Sequence, residues 1–293
     1  LPFHSLLVKE AGYQQPDYLH LPYLAKYAEV RYDYSPFHKA AGTRQNASLL
    51  AFGYGDFLET GEASSRSMAS VAAVGKEIVA LRKLAMATVY SGHQATKQLF
   101  KDVGHQYDIL HFALHGKADT SSIARSALIF NTADKQENTL YAYEIAGMPL
   151  NASLAVLSAC ETGMGKYHLG EGVFSLARTF LNNGVNSVVM SLWEIPEFST
   201  TFLMEEFYRQ LGRGQSTSAS LHNAQKLYLK QADELSSHPL YWAGMTNWGS
   251  ETQFTFEKPW NFLRQLSYRF SVLAAVLLVA ALLFRKYRRV SYA

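Results

Sequence analysis

From residue 1 to about 250 the apolar positions come in short runs that alternate between two spacings. Ser48–Gly53 is a short apolar run ending in Gly53, with Gly55 just beyond. Val71–Lys83 carries apolar residues at helical spacing, Met86–Tyr90 reads as a short strand and Ala95–Lys101 as a short helix. Tyr107–Leu114 is a strongly apolar strand. Ser126–Phe130 and Thr139–Tyr141, separated by the polar stretch NTADKQEN, predict a small hairpin. Leu154–Ser158 predicts another apolar strand, Gly172–Asn182 a helix stopped near Gly184, and Ser187–Leu192 a strand. Ser199–Leu211 and Thr217–Ala232 predict helices, the first started by Ser199 and stopped by Gly212. Strands this apolar, alternating with helices, predict an α/β fold with a mainly parallel sheet covered on both faces. Residues 1–42 are rich in Tyr and Pro with weak periodicity, and an edge strand is expected near Ala28–Tyr32.

The pattern changes at the C-terminal end. From Ser271 to Phe284 every residue is apolar or small. Extended back to Leu266, the run is about 28 Å long as a helix, close to the hydrocarbon thickness of a bilayer. Arg269 would stand near one end, where a long side chain can snorkel. Tyr268 and Tyr287 flank the run, and Arg285, Lys286, Arg288 and Arg289 follow it. The expected organisation is therefore a globular domain over 1–250, a juxtamembrane linker over 251–265, a transmembrane helix over 266–284 and a basic tail over 285–293. The tail favours a cytoplasmic C-terminus with the domain on the other side; Lys258, Arg264 and Arg269 oppose that bias, and a tail-anchored protein would have the reverse arrangement.

Composition narrows the function classes. Across 293 residues, 48% are hydrophobic and 17% charged, which describes a globular chain. The net charge of +3 is small and partly sits in the terminal cluster, so no nucleic-acid partner is expected. A single cysteine excludes an intrachain disulfide and a multi-cysteine zinc site. The chain opens on Leu1 rather than Met, so a fragment or processed product is expected; no secretory signal stands at its start, which says nothing about the parent protein.

Two strand ends carry the candidate chemistry. One reads ILHFALHGKAD, with His115 and Gly116 past an apolar strand; the other reads LAVLSACETGMG, with Cys160 past another. Ligands of open parallel sheets bind outside the carboxyl ends of the strands. If the two strands are neighbours, His115 and Cys160 face one crevice as base and nucleophile. Gly116 would let the backbone turn sharply after His115, and its N–H, with that of Cys160, would serve a developing oxyanion. Gly163 and Gly165 would permit close substrate approach. A buried, inert cysteine is the competing reading of Cys160.

Other chemistries fail on residue detail. His111 and His115 are four apart, but on a strand that spacing separates them by about 13 Å, too far to share a metal. Gly165-Lys166 lacks the first Gly and the Ser or Thr of a phosphate loop, and His168 stands where a dinucleotide motif needs its third Gly. His111 reads as a structural core histidine.

The segments ILHFALHG, SALIF, LSACETGMGKYHLGEGVFSLARTFLNNGVNSVVMSLWEI, STTFLMEEFYRQLGRGQS, AQKLYL and HPLYWAG, in this order, resemble the CHAT domain family, caspase-like relatives of caspases, gingipains and separase. The resemblance covers most of residues 1–250. It implies a caspase-like three-layer α/β/α sandwich and a Cys–His dyad formed by Cys160 and His115. It implies a cysteine endopeptidase acting on protein or peptide substrate, without metal or organic cofactor, and latent until a partner or upstream tetratricopeptide repeats activate it. Many relatives carry an acidic residue soon after SLW; here Glu194, Pro196 and Glu197 occupy that stretch. Asp119, Glu161, Gly163 and Glu194 are candidates for the substrate groove. Glu171 suits a helix start or loop, and Trp193 a packing role over a pocket wall. The alternative is an idle CHAT module serving as a membrane-anchored interaction scaffold.

Overall fold

A computed structural model describes residues 3–8, 17–33, 42–53, 77, 81, 87–117, 119, 122–131, 138–158 and 171–256. Eleven strands are present among them: β1 Gly42–Arg44, β2 Leu49–Gly53, β3 Ala87–Ser91, β4 Ile109–Ala113, β5 His115–Lys117, β6 Ala127–Ile129, β7 Thr139–Tyr141, β8 Leu154–Leu157, β9 Ser187–Ser191, β10 Met245–Gly249 and β11 Thr252–Phe254. The helices are α1 Lys97–Val103, α2 Ala142–Ala146, α3 Glu171–Asn182, α4 Glu197–Leu211 and α5 Thr217–Gln231. Glu77 and Leu81 are also helical.

The main sheet has the order β10-β9-β8-β4-β2-β3. Its strands run parallel except β10, which pairs antiparallel with β9. The expected mainly parallel sheet is thus present, with one antiparallel edge that the alternating pattern did not suggest. All residues of β2, β4, β8 and β9 are buried. Their period of two sends alternate side chains into two separate cores. Leu49, Ala51, Ile109, Val156 and Val189 meet Phe207, Leu221, Tyr228 and Trp242 on one face. Leu50, Phe52, Leu110, Phe112, Leu157 and Met190 meet Phe100, Ile145 and Phe180 on the other. Helices on both faces of a sheet make the three layers that a doubly apolar sheet requires.

Aromatic packing fixes the central strand. Phe112 stacks on Phe52 at 6.0 Å between centroids and meets Phe100 edge-on at 5.1 Å. Truncating a buried Phe in such a cluster costs about 3–5 kcal/mol. The same packing therefore holds β4 in place, and with it the chain that leaves β4 at His115.

Several boundaries differ from the sequence expectation. The expected edge strand at Ala28–Tyr32 reduces to a single bridge, in which Tyr32 pairs parallel with Trp248. Tyr32 also stacks on Trp248 at 4.8 Å, so side-chain packing holds a segment with little strand pairing. α4 begins at Glu197 after Pro196 rather than at Ser199. Ser199 is instead buried, its hydroxyl 2.8 Å from that of Tyr228. β11 falls in the stretch expected as linker and pairs in parallel with β1. The hairpin β6–β7 forms as predicted, and β5 joins it as a third strand. The described residues all fall in one compact unit within Leu1–Phe256. Among the described residues no helix is long and apolar enough to cross a membrane; 266–284 lies outside them.

Candidate active site

β4, β8 and β9 are adjacent and parallel, so their carboxyl ends share one edge of the sheet. β4 and β8 pair through Ile109↔Leu154 to Phe112↔Leu157. The Ser158 N–H donates to the Phe112 carbonyl at 3.1 Å and carries the pairing one residue further. The adjacency that the sequence left conditional is therefore present.

His115 does not sit in a turn. It opens β5, opposite Ile129, and Gly116 is buried opposite Leu128. Gly116 has no positive φ, so the sharp turn expected after His115 is absent. The change of direction comes one residue earlier, at Leu114, between two strands. The consequence is a better-fixed histidine: the half-buried His115 belongs to a second, three-stranded sheet rather than to a free loop. Cys160, Glu161, Gly163 and Gly165 lie outside the described residues.

The remaining groove candidates take two different roles. Asp119 accepts the Ser122 N–H at 3.0 Å and pairs with Arg125 Nε at 3.1 Å. It is a loop brace at the turn leading into β6. Glu194 is exposed just past the end of β9, on the shared edge. Burial, and then the charge of Glu194, hold the nearby Glu197 carboxyl above its ordinary pKa. Glu171 is the first residue of α3.

Trp193, beside Glu194, packs half-buried against the core. Its Nε1–H donates to the Leu240 carbonyl at 2.9 Å. Ser191, the last residue of β9, donates its hydroxyl to the Trp193 carbonyl. The indole lies directly over Gly244, where a Cβ would stand 2.8 Å from Trp193 Cε2. Glycine is required there by this close approach. Phe198, on α4, and Tyr241, three residues before Gly244, are 5.8 Å apart between centroids. Sequence reading missed Gly244 and Leu240 because their role depends on antiparallel β10 starting at this edge, opposite Ser191, so that the residues before it lie here.

His111 is a core residue, as its place in an apolar strand predicts, but it is not isolated. Its Nδ1 lies 3.0 Å from the Tyr208 hydroxyl of α4, and its Nε2 lies 3.1 Å from Glu77 Oε1. The Ser158 hydroxyl is 3.4 Å from the same Nε2. Burial, and then the charge of Glu77, raise the Tyr208 phenol well above its ordinary pKa. No local sequence signal joins Glu77, Tyr208 and Ser158; only the fold brings them together.

Residues 1–250 match the family model described as the CHAT domain. Tetratricopeptide repeat protein 28 of Mus musculus is 31% identical over 150 residues, which are 51% of this chain and 6% of that protein. Its Homo sapiens counterpart is 33% identical over 118 residues, 40% of this chain and 5% of the relative. The chain thus corresponds to a small part of these relatives' length. Among solved structures, the Saccharomyces cerevisiae separase–securin complex gives a TM-score of 0.48 at 12% identity, covering 73% of this chain and 13% of that one. The Arg-specific cysteine proteinase gingipain R gives 0.42 at 10% identity, covering 69% of this chain and 46% of that one.

Proposed function

The chain belongs to the CHAT domain family, and from that premise we propose that it is a caspase-like cysteine endopeptidase in which Cys160 is the nucleophile and His115 its base. The observation that carries the reading is the register of β4 and β8. Phe112 is opposite Leu157, and His115 and Cys160 each follow three residues later. Neighbouring strands lie about 4.8 Å apart. Two chains that leave the same edge in step support a base and a thiol at one crevice.

The chemistry follows from the residue types. His115 takes the Cys160 proton, and the thiolate attacks the scissile carbonyl carbon. The carbonyl oxygen becomes an oxyanion, which the backbone N–H groups of Gly116 and Cys160 stabilise. The C–N bond breaks as the imidazolium protonates the leaving amine, giving a thioester. Water, deprotonated by His115, then releases the acid and restores the thiol. Glu194 and Trp193, past the end of the next strand, border the groove. Asp119 serves the loop rather than the substrate. In this reading residues 266–284 anchor the chain in a membrane, and activity is latent until an upstream repeat region or partner acts on the domain. The relatives named for tetratricopeptide repeats support a repeat region in related proteins.

The test is cleavage of a mixed peptide library by the full chain, with and without a candidate activator, beside Cys160→Ala and His115→Ala. Cleavage that both substitutions abolish supports the dyad. Cleavage that survives Cys160→Ala refutes it. An inert thiol, with no cleavage under either condition, favours the interaction-scaffold reading.

A further inference from the structure

Glu77 is 3% exposed and His111 is fully buried. A carboxylate so placed is costly unless it is paired, and an ion pair inside a core is rarely the most stable choice. The positions flanking His111 in the sheet, Ala51 and Val156, are apolar and buried, so an apolar side chain would satisfy the sheet equally well. Stability does not account for the histidine.

Its contacts suggest what does. The imidazole joins three elements: the helical residue Glu77, Tyr208 on α4, and Ser158 at the exit of β8. The hydrogen bonds of the imidazole run from the Tyr208 hydroxyl at Nδ1 to the Ser158 hydroxyl at Nε2, and the Glu77 carboxyl lies 3.1 Å from the same Nε2 without hydrogen-bond geometry. Ser158 is held twice, by its N–H on the Phe112 carbonyl and by its hydroxyl beside His111. Two residues further along the chain comes Cys160.

We propose that Glu77, His111 and Tyr208 form a buried positioning relay that fixes Ser158, and through it sets the direction in which the chain leaves β8 toward Cys160. His111 on this view is a positioning residue; it lies too far along β4 from His115 to exchange protons with it. The inference rests on the dyad proposed above, and its test separates the two.

Cys160 is the single thiol of the chain, so alkylation of the full chain by iodoacetamide reports on it alone. Rates are measured across a pH series for the wild type, His115→Ala, Ser158→Ala, Ser158→Thr, Glu77→Gln and Tyr208→Phe. Misplacement on the scale of an ångström costs up to about a hundredfold in a positioned reaction. Ser158→Ala and Glu77→Gln are expected to slow alkylation about tenfold or more and to move the midpoint of the rate–pH profile. Ser158→Thr, which keeps the hydroxyl, should restore both. Ser158→Ala removes one oxygen and strands no charge, so it stays interpretable if Glu77→Gln or Tyr208→Phe unfolds. A Ser158→Ala profile that overlays the wild type, while His115→Ala slows the reaction, overturns the relay and leaves the dyad standing. Slowing by Ser158→Ala with no effect of His115→Ala supports the relay and removes the dyad. No effect of either substitution removes both.

Discussion

His4 offers a quantitative test of how the N-terminal segment is held. Its Nε2 lies 2.6 Å from the Ala243 carbonyl, and its Nδ1 lies 3.2 Å from the Tyr32 hydroxyl. Tyr32 in turn accepts the Phe3 N–H at 2.6 Å. This pattern suits the neutral ring: Nε2–H donates to Ala243 and Nδ1 accepts from Tyr32. Burial therefore pushes the His4 pKa down from 6.5 to about 4, against the opposing hydrogen bond to Ala243 and with a further lowering from His222. A histidine depressed in the folded state is protonated first in the unfolded chain. Stability is thus complete above about pH 6.5, declines as pH falls toward 4, and is flat below both values. With these two pKa values, lowering the pH from 7 to 5 costs about 2 kcal/mol through His4 alone. The assay is urea unfolding at both pH values for the wild type and His4→Gln, which keeps an N–H for Ala243 but does not titrate. The wild type should lose about 2 kcal/mol more than the variant over that interval. Equal losses in the two proteins would refute the reasoning. His222 titrates in both, so its own lowered pKa cancels from the comparison.

Two further outcomes follow from the structure and the sequence. Gly244→Ala places a Cβ 2.8 Å from Trp193 Cε2 and 3.1 Å from Ile195 Cδ1, so it should cost about 1–3 kcal/mol and shift the tryptophan emission of the folded state; an unchanged spectrum and unfolding midpoint would show that the indole does not rest on this backbone. If 266–284 spans a bilayer, the full chain should float with phosphatidylcholine vesicles and resist extraction by high salt, whereas recovery in the soluble fraction would remove the anchor from the proposal.

Most strands and helices between Leu49 and Gln231 were legible in the sequence because burial imposes a period; β5 and α2 were not. β4 and β8 lie between layers, so they are apolar but for His111, and α3–α5 repeat their apolar residues at helical spacing. The two candidate catalytic residues were legible for a related reason: chemistry in a parallel sheet collects where strands end, and His115 and Cys160 each follow one. Strand order was not legible. Nothing local to Leu154–Leu157 says that it lies beside β4 rather than β2, yet that adjacency is what sets the carboxyl ends of β4 and β8 side by side. The antiparallel return of β10 was equally hidden, since a short strand after a helix carries no mark of its direction, and Gly244 and Leu240 meet Trp193 only because of it. His111 shows the limit most clearly. Its place in an apolar strand declared a core residue, which it is. Its partners Glu77, Ser158 and Tyr208 lie 34, 47 and 97 positions away, and polar pairing over such distances leaves no periodic trace. Sequence determines which face a residue turns to, because that depends on its immediate neighbours; which partner waits on that face is decided by the packing of whole layers.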